Sequence, residues 1–249
     1  MAEIVYPLVI TTARGLFKAL DVRIDVRGAE HVPASGGAVL VSNHISYLDF
    51  LFVGYGALPA GRLTRFMAKK EVFAHPVSGP LMRAMRHIPV DRSAGAGAYG
   101  QAVARLRAGE VVGVFAEATI SRSFTVKQIK NGAVRMAAEA EVPLIPVTLW
   151  GTQRMWTKGR PKRLTQRHIP VTIDVGEPLY PKPGQDTEEL TAALRATMER
   201  RLDGVQRAYP GAADAAGAWW QPAHLGGAAP TPEQAAALDA AERESRRRR

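Results

Sequence analysis

The chain has 249 residues, 46% of them apolar, and a formal net charge of +10. That apolar share suits one α/β domain with a large core and excludes general disorder. The absence of cysteine excludes disulfides, thiolate metal sites and a cysteine nucleophile, and it suits a reducing compartment. The charge points to anionic partners: nucleic acid, phosphorylated substrates or acidic lipid surfaces.

No stretch approaches the roughly twenty unbroken apolar residues of a spanning helix, and the N-terminus lacks the order of a signal peptide. Residues 4–20 read as an apolar but interrupted helix, with Arg14 and Lys18 four apart. Such a helix dips into lipid headgroups or packs on the core, and the two readings are compatible. Val22, Ile24 and Val26 alternate with charged residues, the pattern of a half-buried strand ending at Gly28. Ala38 to Val41, between Gly36-Gly37 and Ser42-Asn43, reads as a buried strand. A helix over 46–58 follows, with Ser46 and Asn43 as candidate caps. Further strands are predicted over 65–68, 87–90, 111–115, 144–150 and 171–175, and helices over 77–86, 98–108 and 131–140. Asp186 with Glu189 has a capping-box pattern and opens a helix that puts Leu190, Leu194, Met198 and Leu202 on one face. Beyond about Tyr209 the chain turns rich in Ala, Gly and Pro around Trp219-Trp220, with a short helix near 232–244 and a basic end.

Strands alternating with helices predict an α/β fold, a single domain with a mixed, largely parallel central sheet flanked by helices. The expected organisation is an N-terminal helix over 1–21, a main domain over 22–208 and an extension over 209–249. Phosphate-loop, dinucleotide-turn, GxSxG and HExxH motifs are all missing. The histidines at 31, 75, 87, 168 and 224 lack ligand spacing, so neither a metal nor another cofactor is expected.

The segment Ser42-Asn43-His44-Ile45-Ser46-Tyr47-Leu48-Asp49 carries the chemistry. It puts His44 at a strand-to-helix junction, where α/β folds place reactive groups, and Asp49 about one helical turn along, able to face back to it. A carboxylate that fixes the imidazole tautomer makes a competent general base, and a substrate hydroxyl then serves as nucleophile. On spacing alone, a core histidine bonded to a nearby carboxylate is the commoner arrangement.

Asn-His-x-Ser-x-x-Asp after a buried strand resembles the first motif of the glycerolipid acyltransferases. Three further blocks follow in that family's order: Ile88-Pro89-Val90-Asp91-Arg92, Val114-Phe115-Ala116-Glu117-Ala118-Thr119 and Val142-Pro143-Leu144-Ile145-Pro146-Val147. Together they cover the interval from Gly28 to about Gly176. The resemblance implies His44 as general base and Asp49 as its orienter, with Asn43 and Ser46 supporting the motif. It further implies transfer of an acyl group from acyl-CoA or acyl carrier protein to a hydroxyl of lysophosphatidic acid, giving phosphatidic acid, without a covalent acyl-enzyme. Glycerol 3-phosphate, another lysophospholipid or a glycolipid is the alternative acceptor. Outside the family, a nonenzymatic basic protein that binds membranes or nucleic acid would explain the charge but not the four ordered blocks.

Arg92 and the third block, with Glu117 and Thr119, are implied to hold the acceptor. The third block departs from the family pattern: Ala118 replaces its glycine, and Ile120 stands where an arginine follows the threonine. Arg122, Lys127 and Lys130 are the nearest replacements for a phosphate contact. From Val142 to Ile173 there is no acidic residue, but Arg154, Lys158, Arg160, Lys162, Arg163 and Arg167 surround Met155 and Trp156. That stretch suits an anionic membrane surface, the phosphates of CoA, an acidic carrier protein or plain solvation. The expectation is peripheral or monotopic attachment to the cytoplasmic face of the cell membrane, with no nucleic-acid partner and the oligomeric state left open.

Overall fold

The computed structural model describes residues 4–91 and 95–248. Seven strands form one sheet: β1 (Arg23–Arg27), β2 (Ala38–Ser42), β3 (Thr64–Lys69), β4 (Ile88–Val90), β5 (Val111–Val114), β6 (Leu144–Trp150) and β7 (Pro170–Val175). Their spatial order is β1-β7-β6-β2-β5-β3-β4. Only β6 and β7 pair antiparallel; every other neighbouring pair is parallel. The expected mixed, largely parallel α/β sheet is therefore present.

The strands are β-branched and apolar because both sheet faces are covered. Val39 and Val41 of β2 point into a core shared with Val103, Leu106, Val134, Leu194 and Met198. Ala38 and Leu40 point the other way, toward Phe17, Phe52, Ile145 and Ile173. Helices α5 (Gly95–Arg107), α6 (Gly132–Ala140) and α7 (Thr187–Arg207) build the first layer, and α1 (Val5–Ala19) with α2 (Asp49–Ala57) the second. Burying a side chain such as Leu40 or Phe52 contributes about 1.5–3 kcal/mol. Packing of α2 on β7 is close enough that a Cβ on Gly56 would lie 2.8 Å from the Ile173 Cγ2. Two short helices, α3 (Lys70–Ala74) and α4 (Ser78–Ala84), join β3 to β4. Of these α3 had no clear periodicity in the sequence.

Two local expectations need correction. Helix α2 begins at Asp49 rather than at 46, and neither Ser46 nor Asn43 caps it: Asn43 is bonded to Leu149, and the Ser46 hydroxyl donates to the Trp156 carbonyl and accepts from the Leu48 amide ahead of the helix. Asp186 does cap α7, accepting from the Glu188 and Glu189 amides. The α1 helix buries Tyr6 and Phe17 while leaving Ile4, Leu8 and Leu16 exposed, so it packs on the core and still presents an apolar face. No helix among the described residues is long and apolar enough to cross a membrane. The described part of the extension, 209–248, is seated on the domain, where the Trp220 ring meets Tyr209 edge-on and lies under Arg154, and it includes α8 (Pro232–Arg247).

Candidate active site

The central strand β2 delivers the site. Asn43, just beyond its end, is clamped to Leu149 of β6: its side-chain amide donates to the Leu149 carbonyl (3.0 Å), and its Oδ1 accepts from the Leu149 amide (2.8 Å). The chain then turns over Ile45 and Ser46 into α2. Asp49, fully buried, closes this turn by accepting at Oδ2 from the backbone amides of Ile45 and Ser46, each at 2.7 Å. The same oxygen meets the His44 Nδ1 at 2.9 Å, and Oδ1 accepts from the Thr152 hydroxyl at 2.6 Å. Both carboxyl oxygens thus serve as acceptors, which suits the neutral imidazole tautomer with its proton on Nδ1; in that tautomer Nε2 presents a lone pair. The His44 side chain is 21% exposed, and its ring stacks on Phe115 with centroids 4.3 Å apart. A fixed, half-open imidazole with a free Nε2 is equipped to take a proton from a bound hydroxyl.

The loop after β5 holds the other side of His44. Glu117 Oε1 accepts from the His44 backbone amide (3.2 Å), and the Ser121 amide donates to the His44 carbonyl (2.7 Å). Burial pushes the Glu117 carboxyl up to about 8, against the opposing pull of the His44 amide and Lys127. Its Oε2 is buried without a hydrogen-bond partner among the described residues. Ala118 adopts φ +58, the left-handed conformation that glycine enters without a Cβ penalty. The family's glycine thus has a geometric counterpart here, held at some strain. Thr119 is half-buried beside it, and Ile120, in the position of the usual arginine, is turned into the interior.

The predicted phosphate ligands do not share one environment. Arg92 lies outside the described residues. Lys130 is exposed. Arg122 and Lys127 come together with Lys158 against two carboxylates of α8. Arg122 Nε and Nη2 reach Asp239 (3.1 Å) and Glu242 (2.9 Å), while Lys127 Nζ reaches Asp239 at 2.6 Å. Lys158 bonds both, at 2.7 and 2.8 Å. Thr152, Asp239 and Glu242 have no local signal marking them as neighbours of this region: Thr152 is 103 residues from Asp49, and Asp239 is 81 residues from Lys158 and 117 from Arg122. Most of the basic stretch is also engaged within the chain: Arg154 lies over the Trp220 ring, Arg160 and Arg163 over Trp219, and Lys162 over Trp156. Among the described residues no cluster of three His, Asp or Glu side chains could hold a metal ion.

Comparison with known proteins places this geometry. A family model described as acyltransferase matches residues 23–150, which include His44, Asp49 and Glu117. The chain is 29% identical over 200 residues to the 1-acyl-sn-glycerol-3-phosphate acyltransferase of Bacillus subtilis (strain 168), covering 76% of this chain and 94% of that one. It is 34% identical over 155 residues to the enzyme of that name from Limnanthes douglasii, covering 59% of this chain but only 53% of the plant protein. The crystal structure of the 1-acyl-sn-glycerophosphate acyltransferase from Thermotoga maritima superposes with a TM-score of 0.68 at 25% identity, covering 82% of this chain and 80% of that one. The chain belongs to the acyltransferase family.

Proposed function

We propose that this acyltransferase moves a fatty acyl group from a thioester donor, acyl-CoA or acyl carrier protein, to the free hydroxyl of a 1-acyl-glycerol 3-phosphate, giving phosphatidic acid for phospholipid biosynthesis. The observation that carries the reading is the His44–Asp49 pair, with the carboxylate held by four donors and Nε2 left open. Nε2 takes the proton as the acceptor oxygen attacks the thioester carbonyl. The carbon–sulfur bond then breaks, and His44 returns the proton to the departing thiolate. The acyl group passes directly to the acceptor, so no acyl-enzyme forms. Because the base and the nucleophile supply this chemistry, the reaction needs no metal, and a chelator should leave turnover unchanged.

Arg122, Lys127 and Lys130, with Arg92, supply the positive charge for the acceptor phosphate. Glu117 fixes the backbone of His44, and Thr119 lines the same loop. A narrow cleft of about 30 Å³ under α1, lined by Tyr6, Ile10, Phe50, Gly54, Leu58 and Leu63, is the entry assigned to the fatty chain and must widen to take it. The rings of Phe115, Phe66 and Phe50 connect it to His44. The exposed apolar side chains of α1, together with Val77 just before α4 and Leu81 within it, support attachment to the membrane surface in which the acceptor lives.

Burial of Ile120 where the family places arginine favours one second reading: glycerol 3-phosphate or a different lysophospholipid as acceptor. Thiol release from acyl-CoA, measured with lysophosphatidic acid, glycerol 3-phosphate and lysophosphatidylcholine in parallel, separates the two. Preference for lysophosphatidic acid supports the first reading, and preference for either of the others replaces it.

A further inference from the structure

Helix α8 is seated in an unusual way. A surface helix is normally held by a broad apolar stripe. The body-facing positions of α8 are instead Ala235, Asp239 and Glu242, spaced i, i+4, i+7, and Leu238 is 47% exposed. Among the described side chains its seam is thus one methyl group and two carboxylates. The Asp239 side chain is only 4% exposed, and the three cations facing it are 14–28% exposed. Gly159, at φ +75, has its backbone so close to the Arg122 guanidinium that a Cβ there would collide with it.

The three cations come from the two loops that hold the His44 turn. Arg122 follows Ser121, whose amide bonds the His44 carbonyl, and Lys158 follows Thr157, whose hydroxyl donates to the Ile45 carbonyl at 2.6 Å. Among the described contacts, three cations face two carboxylates, one positive charge in surplus. A phosphate monoester dianion would bring the same charge as Asp239 and Glu242 together, with oxygens suited to the same donors.

We infer that Arg122, Lys127 and Lys158 form one phosphate-monoester pocket, in which Asp239 and Glu242 of α8 stand in for the phosphate until a phosphorylated ligand displaces them. This rests on the reading that the acceptor carries a phosphate. It makes α8 an intramolecular competitor: the helix covers an otherwise open cationic pocket, and the acceptor must outcompete it. A helix with little apolar anchorage can yield in this way without exposing a core.

Two measurements on the full chain test it. In Asp239→Asn/Glu242→Gln the acceptor KM should fall, by roughly tenfold if about a tenth of the native molecules are open, while kcat at saturating acceptor is maintained. An unchanged or higher KM would make the cluster a structural staple and overturn the inference. In the unmodified protein, inorganic phosphate should speed hydrogen exchange of the α8 amides more than chloride at equal ionic strength. Equal exchange in the two salts overturns the inference even if the double variant does not fold. If phosphate opens α8 while Arg122→Ala in the double variant leaves acceptor KM untouched, the anion pocket stands and the phosphorylated-acceptor reading falls.

Discussion

Two buried aspartates in this molecule are each held by several donors, and they are held differently. Asp49 is bonded by two backbone amides, a threonine hydroxyl and an imidazole. Asp239 is bonded by an arginine and two lysines. The first set is largely neutral dipoles fixed by the fold, which salt does not screen and other anions cannot easily reach. The second set consists of full charges on long side chains, which any dianion of suitable size can claim. On the proposed reading, the chemistry sits at the centre of the sheet and ligand selection in a charge cluster at its margin.

The largest break in this comparison should come from the centre. His44→Ala should lower turnover by roughly 10²–10⁴ with the fold retained, since that is what a positioned general base contributes. Asp49→Asn should also lose activity, and the double variant should cost little more than the worse single one. Thiol-release kinetics with circular dichroism decide this, and near-normal turnover by His44→Ala would remove the mechanism. At the margin the effect should fall on binding. Arg122→Ala should raise acceptor KM tenfold to a hundredfold, the equivalent of about 1.5–3 kcal/mol for a charged hydrogen bond, and leave donor KM unchanged. Lys130→Ala, at an exposed side chain, should do less.

The pH dependence of stability should distinguish the two regions by sign. Burial raises the Glu117 carboxyl from 4.5 to about 8, so the folded state keeps a proton that the unfolded chain gives up. This stabilisation is complete below about pH 4.5 and declines by about 1.4 kcal/mol per pH unit as the pH rises toward 8. Glu117→Gln should flatten that slope in chemical denaturation. Burial opposes ionisation of Asp239 as well, but the bonds from Lys127 and Lys158 outweigh it and hold the carboxyl near 2. Its stabilisation is complete above 3.8 and lost as the pH falls toward 2, and Asp239→Asn should remove this acid limb.

The smallest expected effect concerns the membrane. Leu8 and Leu16 are 64% and 55% exposed, so Leu8→Glu/Leu16→Glu should leave the fold intact. Binding of the native chain to acidic vesicles should weaken with salt but persist, because insertion of an apolar face is not screened. The variant should lose the salt-resistant part. Cosedimentation across a salt series measures both, and identical curves would acquit α1 as the anchor.

The fold and the chemistry were legible to different depths. Apolar runs such as Leu144 to Trp150 announced the buried strands, and the capping signal at Asp186 located α7, because those features are local. The His44–Asp49 pair was legible through its spacing and the blocks that follow it. Less legible was anything assembled across the chain. Ser46 and Asn43 look like helix caps in sequence, yet Asn43 serves Leu149, and Ser46 splits its hydroxyl between the distant Trp156 carbonyl and the Leu48 amide, too early to cap α2. Arg122 and Lys127 were readable as cations for an anion. That the anion present is a pair of carboxylates more than a hundred residues away has no signature in a periodicity or a motif.

Asp49 closes the His44 turn locally, but the bonds that tie this turn to the rest of the sheet are long-range: Asn43 to Leu149, Thr152 to Asp49 and Thr157 to Ile45 span 106, 103 and 112 residues. At a synthesis rate of about 5–20 residues per second, a nascent chain that has already made β2 and α2 waits several seconds or more for those partners. During that interval Asp49 lacks one of its four donors, and the turn has no clamp on β6. Such non-local closure also slows folding once the chain is complete. The catalytic turn is therefore among the first segments made and among the last finished, and truncated chains ending before Thr152 should be inactive even where their secondary structure has formed.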